Sequence, residues 1–452
     1  MRILVVGDGK VGHMLSAHLA QEGHDVVIVD KSESVLRRSQ DTLDVMTLRG
    51  NGANAQTLME AQVDKADVLL AATASDETNM LCALIGKRLG AKYAIARIRD
   101  PEYHESLDLL QKELDIDMAV NPERATALEI SRLIRFPFAT SIESFSKGRV
   151  EMVGFHVHED SPLIGFPIKV LRAKTQAEVL YAAIERDAEI IIPNGDIIIQ
   201  EGDYVHVVGE IDSISEYFRQ MGKAPVKIKD VTMMGGGRIS YYLAKMLIPL
   251  GMNLTIIEIN EAKAVALSET LPEANIICGD ASDQELLQQE GIENTDAFIA
   301  LSNRDEENLL TGLYAATLGI KKVVVKNNRV TDNKVIDKLD LDSIVSPKSI
   351  VCDTILRYVR AHEGGIGTAV EKLYSLLGGK AEALEFIAMM QEPYIGVPLK
   401  DLKMKKGTLV VCIVRNGKII IPFGNDYILT GDSVIIVVNE SGISDLNEVM
   451  TK

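Results

Sequence analysis

The first third of the chain alternates short apolar runs with stretches of helical periodicity. Strands are predicted at Met1–Val6, Asp25–Asp30, Asp44–Leu48, Asp67–Thr73, Tyr93–Arg97 and Met118–Val120. Helices are predicted at His13–Glu22, Ala55–Gln62, Asn79–Leu89 and Glu105–Glu113. Apolar strands that alternate with helices are typical of a parallel sheet covered on both faces. The pattern therefore predicts an α/β fold with a Rossmann-like, doubly wound parallel sheet.

After Ser146 the pattern changes to short strands with few helices between them. These strands are predicted at Val153–His158, Glu178–Glu185, Ile190–Ile192 and Tyr204–Val208, and a helix follows at Ile211–Met221. A helix at Pro122–Ile134, with Asn121 as its cap, leads from the parallel sheet into this region. The region is predicted to be a small α+β domain, followed by a linker that begins at Gly222–Pro225.

The second half of the chain repeats the first. Strand Val231–Met234 precedes a second glycine-rich loop, and Asn253–Glu258 ends in an acid as Asp25–Asp30 does. The spacing of Asp67, Ala71, Asp76, Glu77, Asn79 and Leu81 returns in Asp296, Ala300, Asp305, Glu306, Asn308 and Leu310. Such a repeat predicts a duplicated pair of domains. The predicted bounds are residues 1–135 and 230–350 for the Rossmann domains, and 140–222 and 370–452 for the small C-terminal domains.

Two further segments support the duplication. Ile164–Pro167 of the first small domain returns as Ile395–Pro398 in the second, where Arg415–Lys418 also predicts a hairpin turn of the Asn-Gly type. The helix Pro122–Ile134 has a counterpart at Pro347–Ala361. An apolar stripe on these two helices suits either the core of their own half or an interface with a partner domain.

The loop after the first strand carries the main candidate chemistry. In a GxGxxG loop, the first glycine allows the tight turn, the second lets a pyrophosphate approach the backbone, and the third lets the helix pack on the strand. Asp30 follows at the distance where a carboxylate accepts hydrogen bonds from ribose hydroxyls and repels a 2′-phosphate. This combination predicts binding of NAD or NADH, or of ATP or ADP, by Asp30 and by the loop residues Gly7, Asp8, Gly9, Lys10, Val11 and Gly12.

Three further residues follow predicted strands, at the edge where doubly wound folds bind their ligands. Asn51 suits contact with an adenine or ribose, or a plain turn, and Thr73 suits contact with a ligand. Arg97 suits a bidentate clamp on phosphate, or a salt bridge with a neighbouring carboxylate. Asp76 is expected to cap the following helix, and so is Asp305 in the second half.

The second half offers a related set of candidate residues. Gly235, Gly237 and Arg238 form its loop, and Glu258 and Asp280 match Asp30 and Asn51. The residue at the position of Gly12 is Ser240, whose side chain is expected to crowd the helix against the strand or a pyrophosphate. Lys326 stands in place of Arg97 and offers a point charge without a fork. The second half is therefore predicted to bind ADP or ATP, or no ligand.

Composition narrows the class of protein. A net charge of −17 over 452 residues argues against a nucleic-acid partner, because phosphate contacts need clustered Lys and Arg. No run of 18 apolar residues occurs, so no membrane-spanning segment is predicted. His156 and His158 suit either a metal ion or an exposed strand face, and we predict no metal site. Free thiols are expected at Cys82, Cys278, Cys352 and Cys412.

The duplicated pattern resembles the TrkA-type regulatory subunits of Trk potassium uptake systems, which are built from RCK (KTN and TrkA-C) domains. The specific markers are Gly7–Gly12, Ala72–Asn79 and Ala96–Tyr103. The resemblance implies a cytoplasmic, peripheral protein that gates a Trk-type potassium-conducting membrane subunit in response to nucleotides. It also implies a homo-oligomeric ring, taken here as a tetramer, with connecting helices that cross to a partner domain and with Arg97 facing the nucleotide.

Two alternatives remain at this point. An NAD-dependent oxidoreductase would need a proton donor or acceptor close to the nicotinamide, and the eight histidines show no such placing in the sequence. A nucleotide-binding sensor for another transporter would share every motif named above. Since a duplicated sensor suits allostery better than catalysis, we predict that the protein is not an enzyme.

Overall fold

A parallel sheet with helices on both faces forms the first part of the chain. In the computed structural model, the described residues are 1–104, 106–175, 177–187, 189–221, 228–328, 341, 343–363, 370–376, 381–390, 392–440, 442–443 and 445–450. The strands are β1 Arg2–Val6, β2 Asp25–Asp30, β3 Met46–Arg49, β4 Val68–Ala71, β5 Tyr93–Arg97 and β6 Met118–Val120. The helices are α1 Lys10–Gln21, α2 Glu33–Thr42, α3 Ala55–Glu60, α4 Asp76–Leu89, α5 Pro101–His104, α6 Leu107–Glu113 and α7 Pro122–Arg135.

The strand order β3-β2-β1-β4-β5-β6 is doubly wound. Alternate residues of β1 face opposite layers, because side chains on a strand alternate between its two faces. Ile3 and Val5 pack with Leu15 and Leu19 of α1, whereas Leu4 and Val6 belong to the opposite layer. Strands β1 and β4 lie side by side at the centre of the sheet, and the chain proceeds from them toward opposite edges. The loops that follow β1 and β4 therefore separate and leave a crevice between them.

A five-stranded antiparallel sheet of order β10-β9-β11-β8-β7 follows. Its strands are β7 Ser141–Phe145, β8 Val150–His156, β9 Val179–Arg186, β10 Glu189–Ile191 and β11 Tyr204–Glu210, and its helices are α8 Ile168–Lys174 and α9 Ile211–Gln220. The predicted linker Gly222–Pro225 lies outside the described residues.

Both sheets recur in the second half. The parallel sheet has the order β14-β13-β12-β15-β16-β17, and the antiparallel sheet has the order β18-β19-β22-β20-β21. The parallel strands are β12 Asp230–Met234, β13 Asn253–Glu258, β14 Asn275–Cys278, β15 Ala297–Ala300, β16 Lys322–Lys326 and β17 Ser343–Val345. The helices are α10 Arg238–Leu247, α11 Glu261–Thr270, α12 Gln284–Gln289, α13 Asp305–Thr317 and α14 Pro347–Glu363. The antiparallel strands are β18 Val370–Leu376, β19 Ala381–Ile387, β20 Thr408–Arg415, β21 Lys418–Ile420 and β22 Ser433–Val438.

The predicted fold class is thus confirmed: two doubly wound sheets, each followed by an antiparallel one. The predicted hairpin also forms, since β20 pairs with β21 and both Asn416 and Gly417 have positive φ. Four helices and strands of the first half were not predicted, namely α2, α5, β7 and α8. Helix α2 buries only Leu36 and Ser39, so its apolar period is too weak to recognise in the sequence.

The two helices that lead out of the parallel sheets cross between the halves. Ala127, Ile130 and Leu133 of α7 belong to one core with Val231 and Met233 of β12, in the second parallel sheet. Conversely, α14 packs on the first parallel sheet, where Val351, Ile355 and Val359 share a core with strand residues of β1 and β2. Each half therefore completes the core of the other, and the predicted interface role of these helices takes place inside one chain.

The two antiparallel sheets also share a core. Phe145, Val150 and Met152 of the first pack with Val411 and Val437 of the second. Among the described residues, no helix is both long enough and apolar enough to cross a membrane.

Candidate functional site

The first glycine loop joins β1 to α1 and is shaped by its glycines. Gly7 has φ +99°, and a Cβ there would lie 2.8 Å from the Thr73 nitrogen. A Cβ at Gly12 would lie 1.9 Å from the Gly7 carbonyl oxygen, so this glycine lets α1 pack against the loop. A Cβ at Gly9 would meet nothing within 4 Å. The backbone at Gly9 is thus open to a ligand, whereas neighbouring protein atoms leave no room for a side chain at Gly7 or Gly12.

Asp30 ends β2 opposite this loop. Its Oδ2 accepts a hydrogen bond of 2.7 Å from the Asp8 backbone N–H, and its Oδ1 accepts one of 2.8 Å from Ser32. The carboxylate therefore ties the loop to the strand end. Each carboxylate oxygen can accept more than one hydrogen bond, so this tie leaves capacity for ribose hydroxyls.

A cleft of about 430 Å³ opens at the carboxyl edge of the first parallel sheet. It brings together eight residues predicted from the sequence: Gly7, Gly9, Lys10, Val11, Asp30, Asn51, Thr73 and Arg97. Residues that the sequence reasoning missed line it as well, among them Lys31, Gly50, Gly52, Ser75 and Thr78. Most of these directly neighbour a predicted residue, so their place after a strand could have identified them. A doubly wound sheet binds its ligand at this edge.

Asn51 forms the local turn considered for it, and its contact with a ligand stays a prediction. Its Oδ1 accepts a hydrogen bond of 3.2 Å from the Ala53 backbone N–H, which forms a local turn, and the residue also lines the cleft.

Asn79 of α4 holds two strand ends in place beneath the cleft. This fully buried side chain accepts hydrogen bonds from the Thr73 nitrogen at 2.8 Å and the Thr73 hydroxyl at 2.7 Å. Its Nδ2 donates to the Arg97 carbonyl oxygen at 2.8 Å. The ends of β4 and β5 are fixed relative to each other as a result. Asn308 repeats this arrangement in the second half, with bonds to Ser302 and Lys326.

Arg97 enters the cleft from the end of β5. Its Nη2 donates to the Thr73 carbonyl oxygen, while its buried Nε has no hydrogen-bond acceptor among the described residues. The described part of the chain contains no ion pair of Arg97 within 4.0 Å, which disfavours the salt-bridge alternative. Burial lowers the pKa of the Arg97 guanidinium, and the nearby Arg99 lowers it further.

The capping role expected for Asp76 is wrong. Ser75 is the N-cap of α4, and its hydroxyl accepts from the Thr78 N–H. Asp76 lies one residue further on and accepts from the backbone N–H groups of Arg99 and Asp100, both at 2.8 Å. The expectation also fails for Asp305: the N-cap position of α13 is Arg304, and no side-chain cap bond forms there. Asp76 instead fixes the loop after β5, a contact between residues far apart in sequence.

Two of the site residues predicted in the first half do not line the first cleft. Gly12 lies beneath the loop, as described above. The Asp8 side chain is turned away from the cleft and is 3% exposed, and its Oδ2 accepts a hydrogen bond of 2.6 Å from the Ser39 hydroxyl. Burial raises the pKa of the Asp8 carboxyl.

The second loop has the same backbone and different side chains around it. Gly235 has φ +94°, and the Glu258 carboxylate accepts a hydrogen bond of 2.7 Å from the Gly236 N–H, as Asp30 does from Asp8. Ser240 causes less crowding than expected: its hydroxyl donates to the Gly235 carbonyl oxygen at 2.5 Å. Lys326 is 5% exposed and donates to the Leu301 carbonyl oxygen at 3.0 Å.

Arg238 and Asp280, the other two candidates of the second half, differ in their contacts. Arg238 reaches the first half, where its Nη2 lies 3.3 Å from Asp100 Oδ2. Asp280 forms a local turn, in which Oδ1 accepts from both the nitrogen and the hydroxyl of Ser282. These bonds lower the pKa of the Asp280 carboxyl. Arg238 is therefore engaged with the first half, and Asp280 with its own turn.

The loop after β5 connects the first cleft to the second half. The Tyr242 hydroxyl donates to the Arg99 carbonyl oxygen at 3.0 Å and accepts from Asn121 Nδ2 at 3.0 Å. Together with the Arg238–Asp100 pair, these contacts join α10 to the segment that carries Arg97. A displacement at the cleft can therefore reach α10 directly.

This arrangement defines a class of proteins: two doubly wound domains of the nucleotide-binding type, each paired with an antiparallel domain. The TrkA-N domain family matches residues 3–122 and 231–347, and the TrkA-C domain family matches residues 152–222 and 384–451. The chain belongs to the TrkA family of regulatory proteins, in which TrkA-N and TrkA-C domains occur together.

Similar proteins match over almost the whole length. Trk system potassium uptake protein TrkA homolog 2 of Methanosarcina mazei is 31% identical over 99% of this chain and 100% of its own. Trk system potassium uptake protein TrkA of Vibrio alginolyticus is 32% identical over 99% and 98%. The solved GsuK channel bound to NAD is 18% identical and has a TM-score of 0.64, over 97% of this chain and 76% of its own. The GsuK RCK domain has the same score and identity, over 96% and 92%. At this identity the two structures support the fold.

Proposed function

We propose that this protein is a regulatory subunit that binds NAD(H) or an adenine nucleotide in its first cleft and thereby gates a Trk-type potassium-conducting membrane protein. The observation that carries the proposal is the cleft itself, where an open glycine backbone, an acidic strand end and a partly buried guanidinium meet at one sheet edge. The full-length similarity to TrkA proteins of Trk potassium uptake systems supports the partner. On this proposal the protein lies at the cytoplasmic face of the membrane, bound through that partner.

The residues around the first cleft suit a phosphate-bearing nucleotide. Gly9 leaves space for a pyrophosphate, and the N-terminal end of α1 favours an anion. Arg97 lines the cleft and carries a positive charge, so it would hold a phosphate oxygen. Asp30 would accept hydrogen bonds from ribose hydroxyls, and Asn51 and Thr73 would contact the remainder of the ligand.

A regulatory role is favoured over catalysis by the lining of the cleft. Its described lining contains no histidine, cysteine or tyrosine. Hydride transfer to a carbonyl would need a positioned proton donor, and histidine fills this role most often. We therefore propose that the bound nucleotide is a signal and that the protein is not an enzyme.

The output of the sensor is proposed to be mechanical. A ligand shifts a two-state protein only by its differential affinity for the two states. A phosphate bound by Arg97 would displace the end of β5. The displacement would pass through Arg99 and Asp100 to their contacts on α10, Tyr242 and Arg238. Since α10 and α7 share a core, movement of α10 would tilt α7. Two nucleotides that occupy the cleft differently could then have opposite effects on the partner.

The assembly is proposed to be a homotetramer, with domain bounds at residues 1–135, 140–222, 230–350 and 370–452. One chain supplies two of the duplicated units, and a ring needs more than two. Light scattering at micromolar concentration measures the molar mass; four times the 49.5 kDa of the chain is expected, and a stable monomer would refute the ring.

The decisive experiment measures potassium flux in liposomes that contain the Trk membrane subunit, with this protein added and NAD, NADH, ATP or ADP varied. Flux is expected to respond to nucleotide with the wild-type protein and to lose the response in the Gly9→Glu, Asp30→Ala variant. The matched control is Gly237→Glu, Glu258→Ala, the equivalent pair in the second half, which leaves the Arg238–Asp100 contact in place. A response that survives the first variant and vanishes in the control would move the sensor to the second half. Flux that ignores the protein and every nucleotide would refute the proposal, and a response only with a different transporter would reassign the partner.

A further inference from the structure

A chain of three polar side chains lies behind the first glycine loop. Ser39 is fully buried and donates to Asp8 Oδ2 at 2.6 Å. His13 Nδ1 lies 2.7 Å from the Ser39 oxygen and 3.7 Å from Asp8 Oδ1. An ionised carboxylate only accepts hydrogen bonds, so the Ser39 hydroxyl donates to Asp8, and its oxygen accepts a hydrogen bond from the His13 Nδ1–H. The hydrogen bonds therefore run in one direction: His13 of α1 donates to Ser39 of α2, and Ser39 donates to Asp8 of the loop.

The network touches the candidate nucleotide site through the loop backbone. Asp8 lies between Gly7 and Gly9, and its backbone N–H donates to Asp30 while its side chain points the other way. The charged groups that face the Asp8 carboxylate are His13 of α1, Arg38 of α2 and Asp30 of β2. A proton gained or lost here changes the charge directly behind the backbone that would hold a phosphate.

The second half lacks the entire network. At the positions of Asp8, Ser39 and His13 it carries Gly236, Leu267 and Tyr241. A Cβ at Gly236 would lie 2.2 Å from Leu267 Cδ1. The apolar Leu267 side chain therefore leaves no room at this position for a buried carboxylate like that of Asp8.

The third residue of the second loop nonetheless adopts nearly the same backbone angles as its counterpart in the first. The φ and ψ angles are −79° and −176° at Gly237, against −70° and −172° at Gly9. A glycine loop therefore forms in the second half without a buried acid. Since burying an acid is unfavourable unless it is paired, the Asp8 carboxylate of the first half is a candidate for a role beyond folding.

We propose that Asp8, Ser39 and His13 form a proton-linked positioning network that makes the nucleotide affinity of the first cleft depend on pH, while the second half has no such dependence. This inference rests on the proposed function. A negative charge behind the loop repels a pyrophosphate, and a proton taken up by the network cancels that charge. Binding therefore tightens as pH falls, and by linkage it takes up protons.

The test is calorimetric titration of the full-length protein with NAD between pH 6 and pH 8.5. NAD suits the test because its phosphates are diesters, whereas the terminal phosphate of ADP titrates near pH 6. We expect wild-type Kd to be about three- to tenfold lower at pH 6 than at pH 8, the effect of one charge on a nearby anion at a partly exposed site. Repeating the titration in buffers of different ionisation enthalpy should show net proton uptake.

Variants separate this role from a structural one. Asp8→Asn keeps the shape and removes the charge, so it should bind NAD more tightly than the wild type at pH 8 and show a smaller pH slope. Ser39→Ala removes the hydrogen bond that lowers the pKa of the Asp8 carboxyl, so it should move the slope to higher pH, which provides a second route if Asp8→Asn fails to fold. His18→Gln, at an exposed histidine of the same helix, is the matched control and should keep the wild-type slope.

Three outcomes would count against the network. A wild-type Kd that is independent of pH, or a slope that is unchanged from the wild type in both Asp8→Asn and Ser39→Ala, would overturn it and leave nucleotide binding intact. A slope lost in His18→Gln would assign the linked proton elsewhere. Failure to bind NAD at every pH would refute the NAD-binding proposal and this inference together.

Discussion

Gly9 and Gly12 belong to the same loop motif and have different physical roles. A Cβ at Gly12 would collide with the Gly7 carbonyl oxygen at 1.9 Å, whereas a Cβ at Gly9 meets no protein atom within 4 Å. Gly12→Ala should therefore destabilise the protein by about 1–3 kcal/mol through overpacking. Gly9→Ala should leave stability within about 0.5 kcal/mol of the wild type and weaken nucleotide binding.

Urea denaturation and calorimetric titration, run on both variants, measure these two effects. The pair provides its own control, because each variant should change one quantity more than the other. Equal loss of stability in both would show that the space beside Gly9 is not free for a ligand.

Asp30 has two roles in the structure, since it holds the loop and faces the cleft. Replacing it with Ala should weaken nucleotide binding by about 1.5–3 kcal/mol, the range for hydrogen bonds to a charged group. Glu258→Ala is the matched control, since it removes the equivalent loop bond in the second half. Affinity measured at the first cleft should fall in Asp30→Ala alone. Unchanged affinity there would remove Asp30 from the site.

At the scale of elements, the exchange of α7 and α14 makes the halves interdependent. The first sheet is covered by α14, and the apolar face of α7 is covered by the second half. A chain cut after residue 221 would leave both surfaces bare. Two copies of such a fragment could cover both surfaces if α7 of each copy packed on the parallel sheet of the other, in the place that α14 takes in the intact chain.

We therefore expect the fragment of residues 1–221 to form a dimer, measured by size-exclusion chromatography with light scattering. Ile130→Asp in the fragment should abolish the dimer, because it places a charge on the buried face of α7. A monodisperse, folded monomer of the unmodified fragment would contradict this expectation.

At the scale of the whole molecule, acidic side chains of both crossing helices meet at their junction. Burial, reinforced by the nearby Glu143, raises the pKa of Glu129 on α7 to about 8. The same two causes raise the pKa of Asp353 on α14 to about 7. Between about pH 4.5 and pH 8 the folded protein then holds a proton on Glu129 that the unfolded chain releases. The unfolding free energy contributed by Glu129 consequently falls as pH rises through this window.

Glu129→Gln should remove this dependence, because the amide is neutral at every pH. At pH 8 the variant is expected to be more stable than the wild type by about 1–3 kcal/mol, and at pH 5 the two should be equal within error. Urea midpoints at both pH values measure the difference, with the exposed Glu60→Gln as control. Equal midpoints at pH 8 would show that Glu129 is not held protonated at this junction.

The sequence alone determined the duplicated α/β architecture, the glycine loops and the acids at the ends of β2 and β13. These features depend on local periodicity and on short fixed spacings, so neighbouring residues carry the whole signal. Eight of the seventeen residues that line the first cleft were predictable for the same reason; Asn51, Thr73 and Arg97, for example, lie at or just after the end of a strand.

Only the tertiary structure decided which residues act on one another across long separations. Asp76 holds the loop after β5 instead of capping α4, and the Asp8 side chain turns away from the cleft toward Ser39. The helices α7 and α14 exchange between the halves, and Arg238 contacts Asp100. In each case the partner is distant in the chain, and the geometry that brings the pair together exists only once both sheets have folded and docked.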